Sequence, residues 1–142
     1  MQLLKLNDLT KVKIIARPSK ICKTPYVADI ELNDGSIVQA HCASFGCCGL
    51  CEKDCYVYAS PILSNCPQSK SKVCTYKVYL AQIYEEKLIK EEKYINNQII
   101  GVDPKLAETL VEKALTNNCF PTLQNIKKHR REAALGKSSF DF

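Results

Sequence analysis

The sequence predicts an α+β protein that begins with a small five-stranded β-barrel and continues into a partial α/β segment. Three observations carry this prediction. Short alternating runs of β-branched and aromatic residues fill the first 84 residues, Asp34-Gly35 joins two of these runs, and Asp103-Pro104 begins a helical pattern. We therefore expect one domain over residues 1–84 and a second segment over residues 85–142, with a two-sheet sandwich as the structural alternative for the first.

The strands of the first domain are delimited by turn-forming residues. Pro18 ends the first strand because it lacks a backbone donor. Asp34-Gly35 predicts a hairpin with a type I′ turn, in which both central residues need positive φ. A stretch rich in glycine and cysteine, residues 43–54, is predicted to be an irregular loop. The predicted strands are residues 12–17, 26–32, 36–42, 55–60 and 73–84.

The second segment has a different texture. Residues 85–93 form a mixed-charge connector, and residues 94–100 suggest a further hairpin that turns at Asn96-Asn97. A helix over residues 104–117 follows, with Asp103 as its N-cap and Pro104 at its first position. Its predicted apolar stripe is Leu106, Leu110, Val111, Ala114 and Leu115. Near the C-terminus, Gly136 predicts a turn and residues 139–142 a short strand.

Composition and charge limit the class of protein. The 142 residues carry a net charge of +5, which fits a polyanionic partner without requiring one. No apolar run approaches the ~18 residues of a membrane span, and the N-terminus lacks the apolar core of a secretory signal. We therefore expect an intracellular, cytoplasmic protein without membrane contact, whose nine cysteines are reduced thiols or metal ligands.

The cysteine-rich loop offers a candidate zinc site. His41, Cys42, Cys47, Cys48, Cys51 and Cys55 fall within a short stretch, and Cys48-x-x-Cys51 has the spacing of a zinc knuckle. A second ligand pair is not defined by spacing, so buried reduced thiols are the simpler interpretation. The candidate ligands are Cys42, Cys48, Cys51 and Cys55.

Two basic clusters suit phosphate contacts, and a solvated surface is the alternative for both. The C-terminal cluster is the better candidate because its consecutive cations repel one another unless an anion lies nearby. The candidate nucleic-acid-binding residues are Lys70, Lys72, Lys77, Lys127, Lys128, Arg130 and Arg131. Tyrosines on the predicted strands, among them Tyr56 and Tyr58 on one face, could stack on bases or pack against the barrel.

Several motifs in this order resemble the sugar fermentation stimulation protein (SfsA) family. Residues 28–35 read Ala-Asp-Ile-Glu-Leu-Asn-Asp-Gly, where the family has Ala-Asp-Val-x-Leu-x-Asp-Gly. Residues 41–46 begin with the His-Cys of the family's His-Cys-Pro-Asn-Thr-Gly, with Ser44 in place of Asn. Residues 100–103 and 110–115 match Val-Gly-Val-Asn and Leu-Val-Glu-Glu-Ala-Leu. Residues 131–142 match Arg-Glu-Val-Lys-Tyr-Gly and Ser-Arg-Ile-Asp-Phe.

The resemblance implies an N-terminal OB-fold barrel, a domain like the PD-(D/E)XK nuclease core, and DNA binding. In such nuclease cores, a Glu, an Asp and a Glu-x-Lys on the next strand hold a divalent metal that activates water. Glu132 and Asp141 align with the first two ligands, and the Glu-x-Lys strand would follow Phe142. We therefore expect a catalytically incomplete centre in these 142 residues.

Three functions follow from these observations. The leading hypothesis is a non-catalytic, sequence-tolerant DNA-binding protein. The first alternative is a metal-dependent nuclease whose remaining ligand strand lies outside this chain. The second is an interaction module stabilised by zinc.

Overall fold

The computed structural model describes residues 2–62, 73–89, 92–123, 129, 133–135 and 138–140. Two compact units are present, one formed by Leu6–Pro104 and the other by Met1–Lys5 together with Lys105–Phe142. The elements in chain order are β1 (Thr10–Ala16), β2 (Val27–Glu31), β3 (Ile37–His41), a 3₁₀ turn (Cys47–Gly49), β4 (Tyr56–Pro61), β5 (Tyr76–Ile89), β6 (Glu92–Gly101), α1 (Pro104–Thr116), β7 (Ala133–Leu135) and β8 (Ser138–Phe140).

A six-stranded sheet makes up most of the larger unit. Its strand order is β3-β2-β1-β4-β5-β6, and these neighbours all pair antiparallel. Strand β3 also pairs with β5, in parallel, through Ala40 opposite Tyr76 and His41 opposite Lys77. Strands β7 and β8 form a separate two-stranded sheet. The predicted α+β class with a predominant sheet is therefore confirmed.

The core lies on one face of this sheet. Along β1, Val12 and Ile14 are buried, and along β4 Val57 and Ala59 are buried, which is the period-two alternation of a strand with one apolar face. Strand β2 is buried on both faces, because Asp29 lies between Ala28 and Ile30 and is itself only 4% exposed. The other core residues are Ala40, Cys42, Cys51, Val78 and Ala81.

The β2–β3 hairpin is confirmed, but the predicted type I′ turn is wrong. The N–H of Gly35 donates to the carbonyl of Leu32, and the N–H of Leu32 donates to the carbonyl of Ser36, both at 2.9 Å. Gly35 has φ of 81°, whereas Asp34 has no positive φ. This is a three-residue loop ended by a left-handed glycine, so only one residue, and not two, needs glycine-like freedom.

The region after residue 84 differs from the prediction. Strand β5 continues to Ile89, and β6 pairs with it from Ile89 opposite Glu92 to Leu80 opposite Gly101. The expected connector is thus strand, and Asn96 and Asn97 pair with β5 and do not form a turn. Charged and amide residues are accommodated here because β6 is the last strand in the sheet order, where one edge stays solvated.

Helix α1 begins and ends where the sequence predicts. Its C-terminus is a Schellman motif: the N–H of Cys119 donates to Ala114 and that of Asn118 to Leu115, with Asn118 at φ 52°. At the N-terminus, the carboxylate of Asp103 binds Lys77 instead of capping the helix. The predicted stripe is buried at Ala114, whereas Leu110 is exposed. Strand β8 agrees with the predicted C-terminal strand, and the Gly136 turn lies outside the described residues.

No helix in the described parts of the chain combines the length and the apolar character needed to cross a membrane.

A candidate nucleic-acid interface and the cysteine-rich loop

Most of the predicted phosphate-binding residues fall outside the described part of the chain. This holds for Lys70, Lys72, Lys127, Lys128, Arg130 and Arg131, and also for the metal-centre candidates Glu132 and Asp141. Lys77, on β5, is described. Its ammonium lies 2.7 Å from Oδ2 of Asp103 and 4.8 Å from the centroid of the Tyr79 ring. A phosphate would therefore have to compete with a buried carboxylate for this lysine.

The solvent-facing side of β1 and β4 brings lysines and tyrosines together, and we call it the β1–β4 outer face. Lys11 is opposite Tyr58, and Lys13 is opposite Tyr56, in the antiparallel register of the two strands. The ammonium of Lys11 lies 4.7 Å from the centroid of the Tyr56 ring, a cation–π distance. Tyr56 is 46% exposed, so its ring retains a solvent-accessible surface.

The β1–β4 outer face continues across the sheet. On the same side, Tyr56 is opposite Gln82 of β5, and Gln82 is opposite Ile99 of β6. Ile99 and the nearby Tyr84 are both 55% exposed. One lysine of this face is already paired, because Lys13 lies 2.7 Å from Asp54. The result is a partly apolar, aromatic surface with one lysine, Lys11, directed onto a ring.

The four candidate zinc ligands do not converge. Cys42 and Cys51 are in the core, Cys48 is exposed, and Sγ of Cys55 donates to the carbonyl of Gly49 at 3.4 Å. Burial raises the pKa of Cys42 to about 11, and burial together with the neighbouring Cys47 also raises the pKa of Cys51. Within the described residues, no three His, Cys, Asp or Glu side chains are arranged to hold a metal ion.

Arg17 organises the cysteine-rich loop, although no motif in the sequence includes it. Its guanidinium donates to the carbonyls of Pro25 at 2.7 Å, Ser44 at 2.5 Å and Cys51 at 3.4 Å. The hydroxyl of Ser44 donates to the carbonyl of Val102 at 2.8 Å. These contacts connect four chain segments, those of Arg17, Pro25, the loop with Ser44 and Cys51, and Val102. No sequence signal marks them, because the bonded residues lie between 8 and 58 positions apart in the chain.

A buried polar network holds the segment after β1. The hydroxyl of Ser19 donates to Oδ1 of Asp29 at 2.6 Å, the N–H of Lys20 donates to Oδ2 at 2.9 Å, and Gln39 donates to Oδ1 at 3.3 Å. Burial raises the pKa of Asp29, but these hydrogen bonds outweigh it and leave the pKa below its usual value. Asp29 is thus a structural anion that fixes the turn at residues 19–22.

A cavity of about 380 Å³ is largely apolar, and the thiols of Cys22 and Cys74 are part of its lining. Burial raises the pKa of Cys74, and the nearby Cys22 raises it further. The lining residues are Cys22, Thr24, Val27, His41, Ile62, Val73 and Cys74.

Comparison with known proteins gives the relationship. No family model matches the sequence. A sugar fermentation stimulation protein homolog of Synechococcus is 30% identical over 118 residues, which are 82% of this chain and 42% of that protein. The homolog of Synechocystis is 34% identical over 101 residues, or 70% of this chain and 35% of that protein. The homolog of Clostridium novyi is 24% identical over 98% of this chain.

A solved structure agrees with these relatives. Pyrococcus furiosus SfsA in complex with Ca²⁺ superimposes with a TM-score of 0.65 over 99% of this chain and 51% of that one, at 16% sequence identity. The sheet and helix therefore define an α+β protein with the SfsA fold. The chain belongs to the sugar fermentation stimulation protein family. It spans less than half the length of the Synechococcus and Synechocystis relatives.

Proposed function

We propose that this chain binds DNA without sequence specificity through an OB-fold-like barrel, and that residues 1–142 do not cleave it. The strand pairings support the barrel: β1 pairs with β2 and β4, β3 with β2 and β5, and β4 with β5. This series returns to its starting strand, as in the five-stranded OB-fold, a barrel that binds oligonucleotides in many proteins. Residues 1–84 would supply most of the barrel, and residues 85–142 would begin the nuclease-like domain.

The observation that carries the proposal is the β1–β4 outer face. Lys11 and the exposed ring of Tyr56 lie 4.7 Å apart, so a cation for phosphate and a ring for a base or sugar are side by side. Such pairs bind nucleic acid with little sequence preference, because every nucleotide presents a phosphate and a flat base. The basic residues Lys70, Lys72, Lys127, Lys128, Arg130 and Arg131 are proposed to add phosphate contacts, as the net charge of +5 favours.

A salt titration tests this proposal. The affinity of the chain for a fluorescent DNA oligonucleotide is measured by anisotropy from about 20 to 300 mM salt. We expect the logarithm of the affinity to fall linearly with the logarithm of salt concentration, because counterions are released from the DNA. Lys11→Ala should reduce the magnitude of that slope by about one, because about one counterion fewer is released from the DNA. Absence of binding at the lowest salt would overturn the proposal.

A matched control separates the β1–β4 outer face from general charge. Lys105→Ala removes an exposed lysine of α1 and changes the net charge by the same amount as Lys11→Ala. We expect Lys105→Ala to leave the affinity nearly unchanged and Tyr56→Ala to weaken it. Equal losses for Lys11→Ala and Lys105→Ala would mean that the β1–β4 outer face is not the contact surface.

A divalent-metal nuclease is the second candidate function. It is favoured by the Pyrococcus furiosus relative, which was solved with Ca²⁺. Glu132 and Asp141 would supply two carboxylates for such an ion. The test incubates supercoiled plasmid with the chain and Mg²⁺ or Mn²⁺, with Asp141→Asn as control. Cleavage that Asp141→Asn removes would establish this function, and intact plasmid in both metals would exclude it for these residues.

A further inference from the structure

Phe45, in the loop between β3 and β4, and Tyr26, directly before β2, form an aromatic pair that is exposed to solvent. Phe45 is 72% exposed, and its ring centroid lies 6.4 Å from that of Tyr26, itself 46% exposed, with an angle of 52° between the ring planes. Single exposed apolar residues are common on proteins. Two adjacent exposed rings are less easily explained, because the outer face of each ring remains in water. A flat group stacked on these faces would remove them from water.

The aromatic pair is fixed in position although it is exposed. Arg17 donates to Ser44, the residue before Phe45, and to Pro25, the residue before Tyr26. The N–H of Cys42 donates to the carbonyl of Tyr26 at 2.8 Å, and the N–H of Cys47 donates to that of Phe45 at 3.0 Å. Binding to a loop held in this way costs little conformational entropy, which is how recognition sites gain affinity.

A cavity adjoins the ring of Phe45. Its volume is about 240 Å³, and it is lined by Arg17, Pro18, Pro25, Phe45, Gly46 and Glu52. The prolines and the phenylalanine offer flat apolar surfaces, while Glu52 adds an exposed carboxylate. The carboxylate of Glu52 offsets the charge of Arg17, whose guanidinium already donates to three carbonyls, so the cavity offers a phosphate little net attraction. A neutral planar group with N–H donors would be accepted, because its face can cover Phe45 and its donors can reach a carboxylate.

We propose that Phe45, Tyr26 and the adjoining cavity bind one unpaired nucleobase of a single-stranded nucleic acid. This inference rests on the proposed nucleic-acid-binding function and identifies the form of the ligand as single-stranded. The phosphates flanking the base meet the exposed lysines that neighbour the site in sequence, Lys23 before Pro25 and Lys53 after Glu52. In a duplex the base faces are covered by stacking, so the site distinguishes single strands from double strands.

The test compares two oligonucleotides that differ only in bases. One is a 12-nucleotide single strand with 2-aminopurine at its centre, and the other carries abasic sites at the central positions with the same phosphates. We expect the first to bind about tenfold more tightly by anisotropy, the usual contribution of one stacked base, and its 2-aminopurine fluorescence to be quenched. Phe45→Ala should abolish both differences, and Phe45→Tyr should restore them.

Ile21→Ala is the matched control, because Ile21 has the same 72% exposure and lies outside the aromatic pair. We expect it to change neither affinity nor quenching. Both Phe45 variants remove or alter an exposed side chain, so folding is checked by thermal unfolding and should be unaffected.

Equal affinity of wild type for the two oligonucleotides would overturn the base site while leaving DNA binding in place. Failure of both oligonucleotides and of a duplex of the same length to bind at low salt would overturn the proposed function itself. If a proline-rich peptide bound at Phe45 while neither oligonucleotide did, the ligand of this site would be a peptide and not a nucleobase.

Discussion

Lys77 and Asp103 form an ion pair of 2.7 Å in which the carboxylate side chain is 2% exposed and the lysine side chain 23%. Oδ2 of Asp103 receives the ammonium, and Oδ1 has no hydrogen-bond partner among the described residues. The charge of this carboxylate is therefore balanced mainly by one lysine. The pair joins β5 to Asp103, which lies between the end of β6 at Gly101 and the start of α1 at Pro104.

Replacing this lysine should destabilise the protein strongly. Lys77→Met keeps much of the aliphatic length but leaves the Asp103 carboxylate buried without a cation, which costs about 3 kcal/mol in free energy of unfolding. The measurement is urea unfolding followed by circular dichroism at neutral pH. The double variant Lys77→Met/Asp103→Leu should recover most of the loss, because it removes the stranded charge along with its partner.

Lys13→Met is the control for the ion pair at Lys77. Lys13 also lies 2.7 Å from a carboxylate, that of Asp54, but the Asp54 side chain is 62% exposed and solvent screens the pair. We expect a much smaller change in stability for Lys13→Met than for Lys77→Met. The same variants separate structure from binding: if Lys77 contacted phosphate, Lys77→Met/Asp103→Leu would fold but would lose part of the salt dependence of DNA binding.

Acid should weaken the fold through Asp29. The pKa of Asp29 lies below the usual 3.8 in the folded protein, because three hydrogen bonds favour the charged form and outweigh its burial. A lowered pKa contributes stability that is complete above the unfolded value and is lost as the pH falls through the folded one. We expect the urea concentration at the unfolding midpoint to decrease once the pH is lowered below about 4. Asp29→Asn should lower the free energy of unfolding by about 2 kcal/mol at neutral pH and should make this dependence on acid weaker.

Asp34→Asn supplies the comparison. The hydroxyl and N–H of Ser36 also lower the pKa of Asp34, but this residue is exposed at the β2–β3 turn. Its substitution should change stability and acid dependence less than that of Asp29. An equally steep acid dependence in Asp29→Asn and wild type would show that other carboxylates govern unfolding.

The elements that the sequence predicted well have local signals. The β2–β3 hairpin follows from Asp34-Gly35, and α1 from Pro104 at its start and Asn118 at its end, since turns and caps depend on a few adjacent residues. The β5–β6 ladder was missed because its charged residues resemble a solvated linker, and nothing in the sequence marks an edge strand that tolerates them.

The candidate site was less predictable than the fold. Arg17 and Ser44 are 27 residues apart, and Ser44 and Val102 are 58 residues apart, so only the folded chain brings them together. The ion pair of Lys77 with Asp103 is likewise invisible in sequence, where Lys77 looks like a free cation and Asp103 like a helix cap. Phe45 carried no signal of its own, because exposure of one aromatic residue depends on how the loop around it folds.

Arg17 should control the order of the Phe45 loop. Arg17→Lys keeps the charge but loses the planar arrangement of donors that serves three carbonyls, so we expect a loss of about 2 kcal/mol in stability. The more specific readout is 2-aminopurine quenching, which should weaken because Ser44 and Phe45 are no longer held. The affinity of Arg17→Lys for the abasic oligonucleotide should stay close to the affinity of the wild-type protein, since this binding depends on phosphate contacts. Unchanged quenching in Arg17→Lys would mean that the loop keeps its shape without the guanidinium.

Thiol reactivity should distinguish buried cysteines from zinc ligands. At pH 8, a maleimide should label the exposed Cys48 rapidly and Cys42 and Cys51 only on unfolding, because both are buried and the pKa of Cys42 is raised to about 11. At that pKa only about one thiol in a thousand is ionised at pH 8. Mass spectrometry of peptides gives the labelling rate at each cysteine.

Added zinc or a chelator should not alter these rates, since the described residues form no metal cluster. If zinc instead protected Cys48 and Cys55 together, and was present in the purified protein at about one equivalent, the loop would rearrange around the metal and the zinc-stabilised module would be the correct description.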